Sequence, residues 1–155
     1  MKIVILIDNS PPALAALKAY LNIHHQPNNQ VHLYHANVPP SLPSLNCLPT
    51  FPTDEIMSIM NKHNQTEQEL EITCDNLAKE SEKPASQNLK FVKNWEFVES
   101  GKDIGLKAVE YVGKVEADLV VCGTRNLSKF EKVFVGSVSE YVLKRVTCPV
   151  LIHKI

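Results

Sequence analysis

This 155-residue sequence lacks a charge excess and a long apolar run. Its 16 basic and 17 acidic side chains leave a formal net charge of −1, so it offers no basic field for nucleic acid or for an anionic membrane surface. No segment approaches the roughly 18 apolar residues that cross a bilayer. We therefore expect no nucleic acid partner and no membrane partner.

Cysteine is sparse and never paired in a CxxC motif. The four cysteines are Cys47, Cys74, Cys122 and Cys148. Their wide spacing favours reduced thiols over a disulfide framework or a zinc site. The first apolar run, Ile3 to Ile7, is too short for a signal peptide and is interrupted at Asp8. Together these features predict a cytoplasmic protein.

Motifs for catalysis and metal binding are also missing. The six histidines show no HExxH spacing, so we expect no metal site. The pairs Gly101-Lys102 and Gly113-Lys114 lack the remaining residues of a Walker loop, and Ser137 is not part of a GxSxG elbow. The sequence therefore predicts no catalytic residue.

Strand-like and helix-like patterns alternate along the whole chain. The predicted strands are Ile3 to Ile7, Val31 to Ala36, Leu89 to Val98, Leu119 to Cys122 and Val150 to Ile155. Segments with helical spacing lie between them. This order predicts a doubly wound, open, parallel five-stranded sheet with helices on both faces, which is a Rossmann-like α/β fold. With 44% apolar residues, the chain from 1 to 155 suits a single domain.

The segment from about 39 to 53 interrupts this pattern. It holds five of the ten prolines, at positions 39, 40, 43, 49 and 52. Because proline removes a main-chain donor and fixes φ, we expect an extended loop there. A long helix is predicted to follow, from Thr53 to Leu77.

The segment Asp118–Ile155 carries the clearest functional pattern. An apolar run ends at Gly123, a polar and basic loop follows, and Gly136 and Ser137 open an amphipathic segment. Gly136 lets main chain approach a phosphate closely, while Ser137 and Ser139 add hydroxyls beside the free N–H groups of a helix start. This arrangement predicts an anion-binding loop.

Three basic side chains within that loop are candidates for phosphate contacts. They are Arg125, Lys129 and Lys132. Arg125 ranks first because a guanidinium group can bind a phosphate with two hydrogen bonds. The alternative is a solvated basic loop closed by an ordinary helix.

The glycines of the loop follow a regular spacing: Gly123, two residues, Asn126, nine residues, then Gly136 and Ser137. This spacing resembles the GxxGx9G[ST] nucleotide loop of the universal stress protein family, with Asn126 in place of the second glycine. The resemblance continues at Val138 and Ser139, and Lys2 to Ser10 is similar to the first strand of that family with its acidic end. It implies the adenine nucleotide alpha hydrolase-like form of the fold.

The resemblance also implies an ATP ligand, with Mg²⁺ as a candidate companion. Asp8 resembles the acidic residue near adenine and ribose, Val38 the residue whose main chain reads the adenine edge, and Gly123 the first loop glycine. The phosphate-binding turn is represented by Gly136, Ser137, Val138 and Ser139. Asp8, Val38 and Gly123 each leave the carboxyl end of a predicted strand, so we expect them to meet.

At the level of function, the resemblance implies a nucleotide-dependent sensor that regulates a stress response. It implies a homodimer formed through the last strand, Val150 to Ile155. One alternative is a nucleotide-free dimeric interaction module, since Asn9 and Asn126 stand where the family has glycines. Another is a slow ATPase, although no residue is evident that would position an attacking water. A flavodoxin-like relative is a further alternative on fold grounds alone.

Overall fold

The computed structural model describes residues 1–38, 53–124 and 137–155. Within its long helix, the side chains of residues 53–56, 59 and 63 are not described. The predicted proline-rich loop lies outside the described residues, except for Thr53, which begins a helix.

Strands and helices alternate as the sequence predicts. The strands are β1 (Lys2–Leu6), β2 (Gln30–Asn37), β3 (Val92–Phe97), β4 (Leu119–Thr124) and β5 (Val150–Lys154). The helices are α1 (Pro11–Ala19), α2 (Thr53–Lys79), α3 (Pro84–Gln87), α4 (Ile104–Val115) and α5 (Ser137–Leu143). A π-helical turn, Tyr20–His24, continues α1.

The five strands form one parallel sheet in the order β3-β2-β1-β4-β5. The central strand β1 pairs on both sides, and Ile3 lies between Val31 of β2 and Leu119 of β4. The direction of winding reverses between β1 and β4, which makes their carboxyl ends the topological switch point. The predicted doubly wound sheet is thus confirmed.

Helices cover both faces of the sheet. Alternate residues of a strand point to opposite faces, so Ile3 and Ile5 pack towards α1 and α2 while Val4 packs towards α4 and α5. This two-sided burial explains why β1 reads as an unbroken apolar run. No helix within the described ranges is long and apolar enough to span a membrane.

The start of α1 differs from what the sequence suggests. Ser10 occupies the position before the first helical residue, where a serine hydroxyl commonly caps the helix. Here that hydroxyl donates to the Asp8 carboxylate and makes no bond to a helix N–H. The Ser10 side chain therefore belongs to the turn that Asp8 closes and does not cap the helix.

Candidate functional site

An open crevice of about 160 Å³ lies at the switch point. The carboxyl ends of β1 and β4 border it, together with the first turn of α5. Four residues that the sequence singles out line this crevice: Asp8, Gly123, Val138 and Ser139. They come from three segments that are distant in sequence, so the fold brings them together.

Other predicted site residues lie elsewhere or outside the described part of the chain. Val38 does not line the crevice, and its side chain faces Gly101, 4.0 Å from where a Cβ on that glycine would stand. Ser137 lines an adjacent cleft with Tyr141. The following lie outside the described residues: Arg125, Asn126, Lys129, Lys132 and Gly136. The roles assigned to all of these residues stay predictions.

Asp8 presents an exposed carboxylate at the mouth of the crevice. One carboxylate oxygen accepts the main-chain N–H of Ser10 at 2.9 Å and also the Ser10 hydroxyl. These bonds close a tight turn between β1 and α1. They orient the carboxylate before any ligand binds.

Ser139 ties the start of α5 to the end of β4. Its buried hydroxyl donates to the Gly123 carbonyl at 3.3 Å. A hydroxyl has one hydrogen to donate, so this bond assigns Ser139 a role in placing α5. Its remaining lone pairs stay available as acceptors.

Strand β2 also contributes to the crevice, which the sequence did not predict. Tyr34, His35 and Ala36 all line the crevice. These three residues end the predicted strand Val31 to Ala36. Because the carboxyl ends of parallel strands meet at one edge of the sheet, the strand prediction already indicates that they lie near the site. The resemblance to the universal stress protein family pointed to Val38 instead.

Tyr34 is held as a neutral phenol. Its hydroxyl donates to Glu96 at 2.9 Å, and its ring stacks on Tyr111 at a centroid distance of 4.9 Å. Burial raises the pKa of Tyr34, and the bond to the Glu96 carboxylate raises it further. Tyr34 therefore forms a rigid wall of the crevice.

Cys122 lines the floor of the crevice as a buried thiol. Burial raises the pKa of this thiol. The neutral thiol is a poor nucleophile at neutral pH. Among the described residues, no group of three or more His, Cys, Asp or Glu side chains is arranged to hold a metal ion.

The sheet order and the crevice at its switch point define a doubly wound α/β protein. The sequence pattern of the universal stress protein family matches residues 1–154. The chain belongs to that family.

Curated relatives share short segments with this chain. It is 46% identical over 46 residues to a universal stress protein from Methanocaldococcus jannaschii, a match that covers 30% of this chain and 27% of that protein. It is 46% identical over 43 residues to a universal stress protein A-like protein from Arabidopsis thaliana, a match that covers 28% of this chain and 25% of that protein. The matches thus span about a quarter of the length of these relatives.

Solved structures resemble the chain along nearly its whole length. A universal stress protein in complex with cAMP superposes with a TM-score of 0.62 at 22% identity, covering 99% of this chain and 96% of that one. A universal stress protein family protein from Arabidopsis thaliana with AMP bound has a TM-score of 0.59 at 17% identity. This likeness covers 99% of this chain and 91% of that one. At these identities the likeness establishes the fold.

Proposed function

We propose that this chain binds ATP in the crevice between β1 and β4. In this proposal residues 1–155 form one cytoplasmic domain that dimerises and regulates a stress response according to its bound nucleotide. The supporting observation is that Asp8, Gly123 and Ser139 meet at the switch point. Ligands of doubly wound sheets bind in that position.

In this proposal the two sides of the crevice bind different parts of the nucleotide. The exposed carboxylate of Asp8 accepts hydrogen bonds from the ribose or the adenine amino group, because an ionised carboxylate is a strong acceptor. The end of β4 and the start of α5 face the phosphates. The proposed binding residues are Asp8, Val38, Gly123, Arg125, Asn126, Gly136, Ser137, Val138 and Ser139, with Lys129 and Lys132 as further phosphate contacts.

An adenine base is supported by the relatives of known structure. One of them is described with cAMP and another with AMP. The number of phosphates is the finer part of the proposal. In our proposal, the basic side chains of Arg125, Lys129 and Lys132 select ATP, and Mg²⁺ would neutralise part of the phosphate charge.

Calorimetric titration tests this proposal directly. Mg-ATP, Mg-ADP, AMP and cAMP are titrated into the wild-type protein and into Asp8→Ala. We expect Mg-ATP to bind most tightly, and we expect its affinity to fall about tenfold or more in Asp8→Ala because a charge-assisted hydrogen bond is lost.

The matched control is Glu80→Ala, which removes an exposed carboxylate that does not line the crevice. Its affinity should equal that of the wild type. If the folded wild-type protein gives no heat with any of the four nucleotides, the proposal fails.

A nucleotide-free interaction module is the second candidate. The observation in its favour is the position of β5 at the edge of the sheet, where its outer main-chain groups face away from β4. Such an edge pairs readily with a second strand. A stable dimer that binds no nucleotide would favour this alternative.

Hydrolysis of ATP, if present, should be slow. Single-turnover measurements of phosphate release in the wild type and in Asp8→Ala separate a binding protein from an ATPase. Rapid release that depends on Asp8 would place the protein among the enzymes.

A further inference from the structure

The imidazole ring of His35 holds the main chain just before Asp8. Its Nδ1 atom lies 2.8 Å from the carbonyl oxygen of Ile7. A carbonyl oxygen only accepts, so Nδ1 carries the hydrogen and donates it. The Ile7 carbonyl belongs to the peptide unit that leads into Asp8.

Both main-chain polar groups of Ile7 are thus bound by β2. The Ile7 N–H donates to the Tyr34 carbonyl at 2.9 Å. Leu6 and Tyr34 are the last paired residues of strands β1 and β2, so Ile7 lies one residue beyond the paired part of β1. The side chain of His35 binds the Ile7 carbonyl at the point where β1 leaves the sheet. The direction in which the chain departs is therefore set by a side-chain contact.

The ring of His35 is itself held from the other side. Trp95 of β3 packs edge-on against it, with centroids 5.7 Å apart and an interplanar angle of 88°. The indole Nε1 of Trp95 donates to Glu71 of α2 at 2.6 Å. Helix α2 and strand β3 together limit how the imidazole can turn.

From these contacts we infer that His35 is a positioning residue for the Asp8 carboxylate. By holding the Ile7 carbonyl, it sets where the Asp8–Ser10 turn begins and thus where the carboxylate points into the crevice. This inference rests on the proposed nucleotide site. It concerns Nδ1, the ring nitrogen bound to the protein, and not a contact between the ring and the nucleotide.

Two amide variants distinguish the ring nitrogens. In His35→Asn the amide nitrogen occupies the place of Nδ1, whereas in His35→Gln it occupies the place of Nε2. Both side chains suit a half-buried position, and thermal unfolding of each variant checks that it is folded. Mg-ATP affinity is then measured by calorimetry.

We expect His35→Asn to bind within about twofold of the wild type and His35→Gln to bind about fivefold to tenfold more weakly, the effect of one lost hydrogen bond. Equal affinities in all three proteins would overturn the inference. So would equal losses in both variants. Retained affinity in His35→Gln alone would show that Nε2 serves the ligand directly.

A measurement without nucleotide separates this inference from the proposed function. NMR spectra of the ¹⁵N-labelled wild type should show a slowly exchanging Nδ1–H on His35. The Ser10 amide, which donates to Asp8, should exchange with solvent faster in His35→Gln than in His35→Asn. If the wild type binds no nucleotide, the proposed function fails and these exchange rates alone decide whether His35 positions Asp8. Fast exchange of the Nδ1–H in the wild type would rule the positioning role out.

Discussion

The main chain of Pro12 lies directly against Gly123. A Cβ atom on residue 123 would stand 2.0 Å from the Pro12 carbonyl oxygen and 2.8 Å from the Ala13 nitrogen. The first turn of α1 can therefore pack against the end of β4 only because residue 123 has no side chain. The sequence assigns Gly123 to a nucleotide loop, and the structure adds a packing reason that holds without any ligand.

Gly123→Ala should lower the free energy of unfolding by about 3 kcal/mol, because the added methyl group overlaps main chain that cannot move without shifting α1. Urea unfolding measures this change. The control is Gly113→Ala in α4, where an added Cβ meets nothing within 4 Å. At this exposed helical position, Gly113→Ala should raise the free energy of unfolding by roughly 0.5–1 kcal/mol, because alanine has the higher helix propensity. A Gly123→Ala protein as stable as the wild type would contradict the packing argument.

Glu116 is under backbone strain at the end of α4. With φ of 52° and ψ of 57°, it is the single non-glycine residue with positive φ among the described residues. Glu116→Gly should raise the free energy of unfolding by about 1 kcal/mol, since glycine adopts this conformation without a Cβ clash. Thermal and urea unfolding measure the gain.

Glu116→Ala is the control for that prediction. Alanine keeps the Cβ and the strain but removes the exposed ion pair with Lys2, whose charged atoms are 3.7 Å apart. Such a pair contributes little, so we expect nearly unchanged stability. An equal gain in both variants would show that charge, and not backbone strain, is responsible.

Two buried histidines should make the protein less stable in mild acid. Burial is the main cause of a lowered pKa at both His25, which is 2% exposed, and His32, which is 6% exposed. At His25 a main-chain hydrogen bond with Ala85 raises the pKa, and the Lys83 ammonium lowers it further. At His32 the Lys2 ammonium also lowers the pKa. Below the unfolded pKa of about 6.5, the unfolded chain therefore binds more protons than the folded one. The stability that comes from burying both histidines in the neutral form is fully present above a pH of about 6.5. It is lost as the pH falls towards the lower pKa values of the folded protein.

The melting temperature between pH 7.5 and 5 measures this effect. His32→Asn should show a shallower decline, because the amide keeps a partner for the Tyr111 hydroxyl, 2.9 Å from Nδ1, but does not titrate. His24→Asn, at an exposed position, should follow the wild-type curve. Identical slopes in His32→Asn and the wild type would exclude a contribution from His32.

A single proline tests the proposed dimer interface on β5. The Val120 N–H donates to the Pro149 carbonyl at 3.0 Å, so the main-chain groups of Pro149 and of every second residue after it point towards β4. Those of Ile152 point away from β4. Ile152→Pro removes an outward N–H that β4 does not use, and prolines are tolerated at such edge positions. We expect a folded monomer by light scattering and circular dichroism.

Ile152→Val keeps the N–H and a β-branched side chain, so it should remain dimeric. If Ile152→Pro is also a dimer, the interface lies elsewhere on the protein.

Local sequence determined which segments form strands and which form helices. The run Ile3 to Ile7 predicts a strand covered on both faces, and β1 is such a strand, because continuous apolar sequence reports burial on two sides. The segment from Thr53 to Leu77 predicts α2, since Leu70 and Cys74 at a spacing of four place one stripe in the core. The loop spacing also pointed to Gly123, and the resemblance of Lys2 to Ser10 to the first strand of the family pointed to Asp8. Both residues line one crevice.

Tertiary structure alone decided how the side chains of this crevice meet. The Ser10 hydroxyl bonds Asp8 instead of capping α1, and Ala36 lines the crevice where the sequence led to Val38. The bond from His35 to the Ile7 carbonyl is equally absent from any sequence pattern. Periodicity depends on local burial, whereas these contacts depend on which strands become neighbours and on where each strand leaves the sheet.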